Sequence, residues 1–445
     1  ALKLPEVTRP QDLRELHFAT VRELAALVRS RQVSCRELVD LFLARLEDVN
    51  PTLQCVVHLL PERARARAKE LDGLLEGGIW LGPMHGIPFG AKDLLAAKGA
   101  PTTWGAKPYQ DQVLGVDAAA IQEVEDHGGI LIAKLSLGAL AMGDVWFGGV
   151  TRNPWNTEQG SSGSAAGPAS ATAAGAIPFA IGSETYGSIL SPARRCGANG
   201  LRPTHGVVPM DGAMVLSWSL DKLGPMGRTA DDIGFLFAAL GPEKGIEGQG
   251  YGFSWPAKVP VEELVVGVIA GDFPDGQRQV LDELAALGCT VKEIPWPVAG
   301  PAREAMVLLT CEAAAAFDAF SREGRDDELT RQGAGAWPNL LRAARLVPAV
   351  EYLQAQRVRT LLREQVDTAL TGVDVLVHPS HRRLALFNLT GHPTGVAPAP
   401  TEEGAAPRGA IGFTAKRFDE ARILALMAAW QAASGRGVPQ PPDFR

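Results

Sequence analysis

Apolar residues recur at helical spacing through Glu37-Leu-Val-Asp-Leu-Phe-Leu-Ala-Arg-Leu46, which predicts a helix with one buried face. Ser34 and Glu37 open it as a capping box, and Thr20 with Glu23 opens an earlier helix in the same way. Asn50-Pro51 is expected to stop the Glu37 helix, and another is expected from Glu62 to Leu75. From Gly78 the texture changes to short apolar runs punctuated by glycine and proline. Asp117 to His127 predicts a helix there, and Gly129-Ile-Leu-Ile-Ala-Lys134 a buried strand.

Glycine and proline cluster between Gly241 and Pro260, which predicts a surface connection. Leu264-Val-Val-Gly-Val-Ile-Ala then reads as a strand, Gln277 to Leu287 as a helix and Cys289-Thr-Val-Lys-Glu-Ile as a second strand. That is one strand–helix–strand unit. Asp374-Val-Leu-Val-His-Pro and Asn388-Leu-Thr-Gly-His-Pro resume the same apolar style, and a helix is expected from Asp419 to Ala433. No internal repeat is evident. The alternation predicts an α/β protein of one large domain, spanning 1–445. Within it, 1–77 reads as a helical part, 78–235 as a glycine-rich core and 236–445 as a more variable remainder.

Composition narrows the class. With 46% apolar and 21% charged residues, the chain has ample material for a core. A net charge of -7 argues against a nucleic-acid surface, which needs a concentrated basic face. The basic stretches Arg63 to Lys69 and Arg357 to Arg363 lie in helical patterns beside acids and read as solvated faces. Five scattered cysteines, with no CxxC pair, suit reduced thiols, and Cys196 reads as a packed one. The opening Ala-Leu-Lys-Leu-Pro lacks the features of a signal peptide, and the apolar stretch Ala165 to Ile181 is interrupted by glycine and proline. A soluble cytoplasmic protein is expected, with no membrane or nucleic-acid partner.

The candidate chemistry sits in Gly160-Ser-Ser-Gly-Ser164-Ala-Ala-Gly-Pro and Ile181-Gly-Ser-Glu-Thr-Tyr-Gly-Ser188-Ile. A Gly/Ser run is commonly a flexible linker, but the apolar Gly175-Ala-Ile-Pro-Phe-Ala-Ile that follows must be buried. No Gly-Lys-Ser/Thr ends the run as a phosphate loop requires, and no Gly-x-Ser-x-Gly surrounds Ser188. Upstream, Lys92 follows the apolar Gly86-Ile-Pro-Phe-Gly-Ala with no acid before it. Burial there would lower its pKa and free its amine to act as a base. Asp93 would oppose this only if it faced the same way, and neighbours on a strand face opposite sides. The histidines show no metal-ligand spacing, and His378 and His381 are placed on a loop; no metal or cofactor is expected.

These segments resemble the amidase signature family. The likeness runs through Gly86-Ile-Pro-Phe-Gly-Ala-Lys92-Asp-Leu-Leu, Pro101-Thr-Thr-Trp-Gly105, Asn153-Pro-Trp-Asn156, the serine run, Ser188-Ile-Leu-Ser-Pro-Ala and Gly200-Leu-Arg-Pro-Thr-His-Gly-Val-Val. The resemblance implies a central mixed, twisted sheet covered by helices on both faces. It implies Ser188 as nucleophile, Lys92 as base, and Ser164 as the relay serine behind a cis peptide bond. Ser161 and Ser162 also compete for the relay position, but the family spacing of 24 residues before the nucleophile selects Ser164. Backbone N–H groups of Thr185, Tyr186, Gly187 and Ser188 match the oxyanion hole, and Gly163 and Tyr186 border the substrate. The implied activity is hydrolysis of amide C–N bonds without a cofactor, on small amides or carbamates, and a homodimer is compatible with it. Alternatives are the glutaminase component of a tRNA-dependent amidotransferase, which works with a partner protein, and a non-catalytic scaffold. Three departures stand out: Ala165 replaces a common second serine, Tyr186 replaces a frequent glycine, and only eight residues separate Pro379 from Asn388. The last is expected to leave the acyl pocket wider.

Overall fold

Eleven strands form one mixed sheet, in this computed structural model describing residues 2–242, 251–274, 277–399, 405–407, 409–435 and 439–444. In chain order they are β1 (Val56–Leu59), β2 (Pro88–Lys92), β3 (Ile130–Leu135), β4 (Phe179–Glu184), β5 (Asn199–Arg202) and β6 (Lys222–Gly227). The second half adds β7 (Val265–Ile269), β8 (Thr290–Ile294), β9 (Val375–Pro379), β10 (Thr394–Pro398) and β11 (Ala410–Ala415). Their spatial order is β1-β3-β2-β4-β6-β5-β10-β11-β9-β7-β8. Every residue of β2, β3, β4 and β6 is buried. Because successive side chains leave opposite faces, these strands must be covered on both sides.

Parallel and antiparallel pairing brings chemistry to one end of the sheet. β2 runs parallel to β4, so Lys92 and Glu184 finish at the same edge. β6 runs antiparallel to β4 with Lys222 opposite Glu184, so its first residue arrives there too. Ligand sites of open α/β sheets gather at such carboxyl ends.

The helices follow the sequence pattern closely. Thr20 with Glu23 and Ser34 with Glu37 both close reciprocal capping boxes. Helices occupy Pro61–Glu76, Ala119–Asp126, Gln279–Ala286 and Glu420–Ala433, within two residues of expectation. β7 and β8 pair in parallel around the Gln279–Ala286 helix, as the strand–helix–strand reading required. Of the connection placed at Gly241 to Pro260, residues 243–250 lie outside the described residues, and 251–260 form no helix or strand. Among the described residues no helix is long and apolar enough to cross a membrane.

Several expectations fail for tertiary reasons. The Cys35–Leu53 helix continues through Pro51, because Leu53 is fully buried and holds its last turn against the core. β1 was not expected from four residues of a helical region, yet it pairs antiparallel with β3 at the sheet edge. His378 is no loop residue: it is buried on β9, its ring nitrogens 3.0 Å from Thr414 Oγ1 and 3.0 Å from the Pro379 carbonyl. Arg359 leaves its expected solvated face and donates to the Leu389 and Ser219 carbonyls, both at 2.6 Å. Arg63, by contrast, pairs with Asp117 and Glu125, both at 2.7 Å. All five cysteines are free and four are buried; the Cys196 thiol is pushed up by burial.

Within this core Asp93 and Lys134 form an ion pair at 2.6 Å with both side chains fully buried. Removing one partner strands the other without solvent. Asp93→Asn should destabilise the protein by roughly 3–5 kcal/mol. In denaturant titration the double variant Asp93→Asn/Lys134→Met should recover much of that loss.

Candidate active site

Parallel pairing of β2 with β4 sets Ala91 opposite Ile181 and carries Lys92 alongside Ser183. The amine is fully buried. It donates to Ser164 Oγ at 2.7 Å, to Ser183 Oγ at 2.8 Å and to the Ser183 carbonyl at 3.3 Å. Burial pulls its pKa from the ordinary lysine range to about 7, against the weaker opposing pull of Asp221 and Glu184. Asp93, one residue past the end of β2, turns to other partners: beyond Lys134, it accepts the Thr103 N–H at 2.9 Å and its hydroxyl at 2.5 Å. Among the described residues Lys92 therefore has only hydroxyl and carbonyl partners, whereas Lys134 has a carboxylate.

Ser164 precedes the Ala166–Ala173 helix, and the Gly163–Ser164 peptide is cis. A Cβ on Gly163 would stand 1.9 Å from the Gly143 carbonyl oxygen, so this approach admits only glycine. Ser161 and Ser162 shape the loop leading in. The Ser161 hydroxyl donates to the Ser162 carbonyl at 2.8 Å, and the Ser162 N–H donates to Asp144 Oδ2 at 2.9 Å.

Ser188 ends a tight turn after β4 in which Gly187 takes φ +83°. Its carbonyl accepts the Ala165 N–H at 3.0 Å, which holds the two serine segments side by side. Lys92 and Ser164 are thus joined, whereas among the described residues no hydrogen bond reaches the Ser188 hydroxyl. Such links commonly tighten only when substrate is bound. Nor, among the described residues, does any acceptor take the N–H groups of Thr185, Tyr186, Gly187 or Ser188. The next two N–H groups, of Ile189 and Leu190, are held by Glu184 Oε2 at 2.8 and 2.9 Å.

That carboxylate belongs to a buried network that sequence reasoning missed. Glu184 Oε1 meets Arg202 at 3.2 Å and the Asn388 amide at 2.9 Å, and Lys222 donates to Asn388 Oδ1 at 2.8 Å. Burial opposes its ionisation, but Arg202, Lys222 and the N–H donors outweigh it and hold its pKa below the usual range. Asp221 accepts the Thr185 hydroxyl at 2.6 Å. Glu184 was detectable in principle, as an acid closing an apolar strand; Ser183 carried no such mark. Tyr186, at 43% exposure, turns its side chain outward from the turn.

With this arrangement in view, comparison with known proteins settles the class. The chain belongs to the Amidase family, whose model matches residues 37–392, and that family hydrolyses the C–N bond of amides. The A subunit of glutamyl-tRNA(Gln) amidotransferase from Microcystis aeruginosa (strain NIES-843 / IAM M-2473) is 32% identical over 82% of this chain and 82% of its own length. Its counterpart from Geobacillus kaustophilus (strain HTA426) is 31% identical, over 93% of this chain and 97% of its own length. Among solved structures, native peptide amidase from Stenotrophomonas maltophilia superposes with TM-score 0.84 at 25% identity, covering 96% of this chain and 100% of that one. A crystal structure of an amidase gives 0.78 at 27% identity, over 93% and 99%.

Because the Gly143 carbonyl occupies the place of a side chain at position 163, Gly163→Ala should destabilise the fold by roughly 1–3 kcal/mol. Denaturant unfolding beside the unmodified protein checks this.

Proposed function

We propose that this chain is a serine amidohydrolase in which Ser188 forms an acyl-enzyme, Ser164 relays protons and Lys92 is the base. One observation carries the reading: a fully buried amine, with its pKa near 7, touches the Ser164 hydroxyl at 2.7 Å and, among the described residues, has no carboxylate hydrogen-bond partner. A neutral amine keeps two N–H groups and one lone pair. The Ser183 carbonyl can only accept, so it engages an N–H and leaves the lone pair for a hydroxyl.

As Ser188 Oγ attacks the carbonyl carbon, its proton passes to Ser164 and the Ser164 proton to Lys92. The developing oxyanion meets the unclaimed N–H groups of residues 185–188, where one donor typically contributes a hundredfold or more in rate. When the C–N bond breaks, Ser164 hands a proton to the departing amine and recovers one from Lys92. Water then attacks the acyl group by the same relay and restores Ser188. Carbamates share the carbonyl and leaving amine, and fall within the same chemistry. The short turn from Ser380 to Arg383, ahead of the Leu384–Thr390 helix, supports a wide acyl pocket.

A second reading, a glutaminase that serves a partner protein, draws support from the relatives of about 30% identity over nine-tenths of the chain. Strong preference for free glutamine over other amides would favour it. The scaffold reading, prompted by Ala165 and Tyr186, sits poorly with a lysine poised near neutrality.

Ser188→Ala should lower turnover at least about a thousandfold and abolish labelling by a fluorophosphonate. Labelling of another residue would overturn the assignment. The base must be unprotonated, so kcat/KM should climb as pH rises through about 7. Lys92→Ala should remove that step and retain activity only at high pH; a pH–rate profile unchanged by the substitution would refute the role.

A further inference from the structure

The segment from Gly212 to Asp221 is fixed on both flanks of the site. Met214 N–H donates to the Leu94 carbonyl at 3.0 Å, and Ala213 bridges Leu95, only three residues past Lys92. At the far flank Asp221 grips the oxyanion turn through Thr185, while its other oxygen accepts the N–H groups of Leu216 and Ser217, both at 2.8 Å. Residues 215–218 are thereby suspended between the strand end that carries Lys92 and the turn that carries Ser188.

This segment is held with unusual firmness for a loop. Buried Glu312 accepts the Ser217 hydroxyl at 2.6 Å and the Ser219 N–H and hydroxyl at 3.1 and 2.7 Å. Arg359 donates to the Ser219 carbonyl at 2.6 Å, and His205 Nε2 lies 3.2 Å from the Trp218 carbonyl. Yet the side chains so positioned stand in water: Trp218 is 54% exposed and Val215 44%. Tyr186, joined to them through Thr185 and Asp221, is 43% exposed. Scattered exposed apolar residues are ordinary on any surface. Three on backbone braced both to the Lys92 strand end and to the Ser188 turn are a different matter, because a fixed backbone spares the cost of ordering a loop when a ligand arrives.

We propose that Trp218, Val215 and Tyr186 form a specificity platform for an aryl or bulky alkyl substituent of the amide substrate. The inference rests on the hydrolase reading for its location, but the platform recognises only an apolar group. The ring could belong to the acyl or to the amine part of the substrate; the chemistry of recognition is the same.

Binding separates the two claims. In a Ser188→Ala background, calorimetric titration with acetamide, benzamide and acetanilide reads affinity without turnover. The aromatic amides should bind more tightly than acetamide, and Trp218→Ala should cut that preference about tenfold. Loss with benzamide places the ring on the acyl side, and loss with acetanilide on the amine side. Trp218→Phe should keep most of the preference, which guards against a misfolded alanine variant. An aromatic preference absent at the outset, or unmoved by Trp218→Ala, overturns the platform. Aromatic binding that persists in a protein whose intact Ser188 form hydrolyses none of the three amides would instead sink the hydrolase reading alone.

Discussion

A primary amine taken out of water with, among the described residues, no carboxylate in hydrogen-bond contact is the constraint on which the candidate site depends. Burial disfavours the ammonium form, and only a carboxylate close by would restore it. Three buried lysines among the described residues make the point by contrast. Lys134 meets Asp93 at 2.6 Å and is held as half of an ion pair. Lys222 donates to an amide, Asn388, amid several charged neighbours, and Arg202 among them pushes its pKa further down after burial itself. Of these three, Lys92 alone combines burial with a serine hydroxyl at 2.7 Å. Burial of a lysine is thus no mark of function here; what it touches decides.

The same sheet edge solves a second problem, that of leaving N–H groups free without leaving a floppy turn. Glu184 claims the donors of Ile189 and Leu190, and Asp221 claims the Thr185 side chain. The backbone on either side is thereby fixed while, among the described residues, the four N–H groups of residues 185–188 stay unclaimed. Buried charges of this kind are expensive unless fully partnered. Glu184 has Arg202, Asn388 and two backbone donors, so its partners come from β5, from the Leu384–Thr390 helix and from its own turn. A network that joins segments about two hundred residues apart ties the oxyanion turn to the packing of the whole sheet.

Local pattern carried much of this into the sequence. Alternation continued past the end of the strand placed Lys92 and Asp93 among different partners, and capping boxes located the starts of two helices to the residue. The spacing of Ser164 and Ser188 was legible through resemblance and not through periodicity. What stayed hidden depends on partners distant in the chain. Ser183 is one residue of a buried strand, and nothing near it says that Lys92 lies across the ladder. Glu312 looks like any helical acid until its contacts at 217 and 219 are seen. Pro51 reads locally as a stop, yet burial of Leu53 outweighs the lost N–H in a final turn.

Division of labour follows from where rigidity is spent. The proposed proton-relay groups, Lys92, Ser164 and Ser188, come from a strand end and from the short turns beside the sheet. In the proposed platform, substituents on the substrate meet the rim, whose segments lie outside the strand ladder. Yet a rim that wandered would lose binding energy to ordering every time a substrate arrived. Here Asp221 serves both sides at once, gripping the Thr185 hydroxyl with one oxygen and the 216–217 backbone with the other. A change in the rim that disturbed this carboxylate would therefore reach the oxyanion turn. Val215 and Trp218 take no part in that carboxylate's side-chain bonds, so under the proposed platform they are where specificity would change with the least effect on the turn.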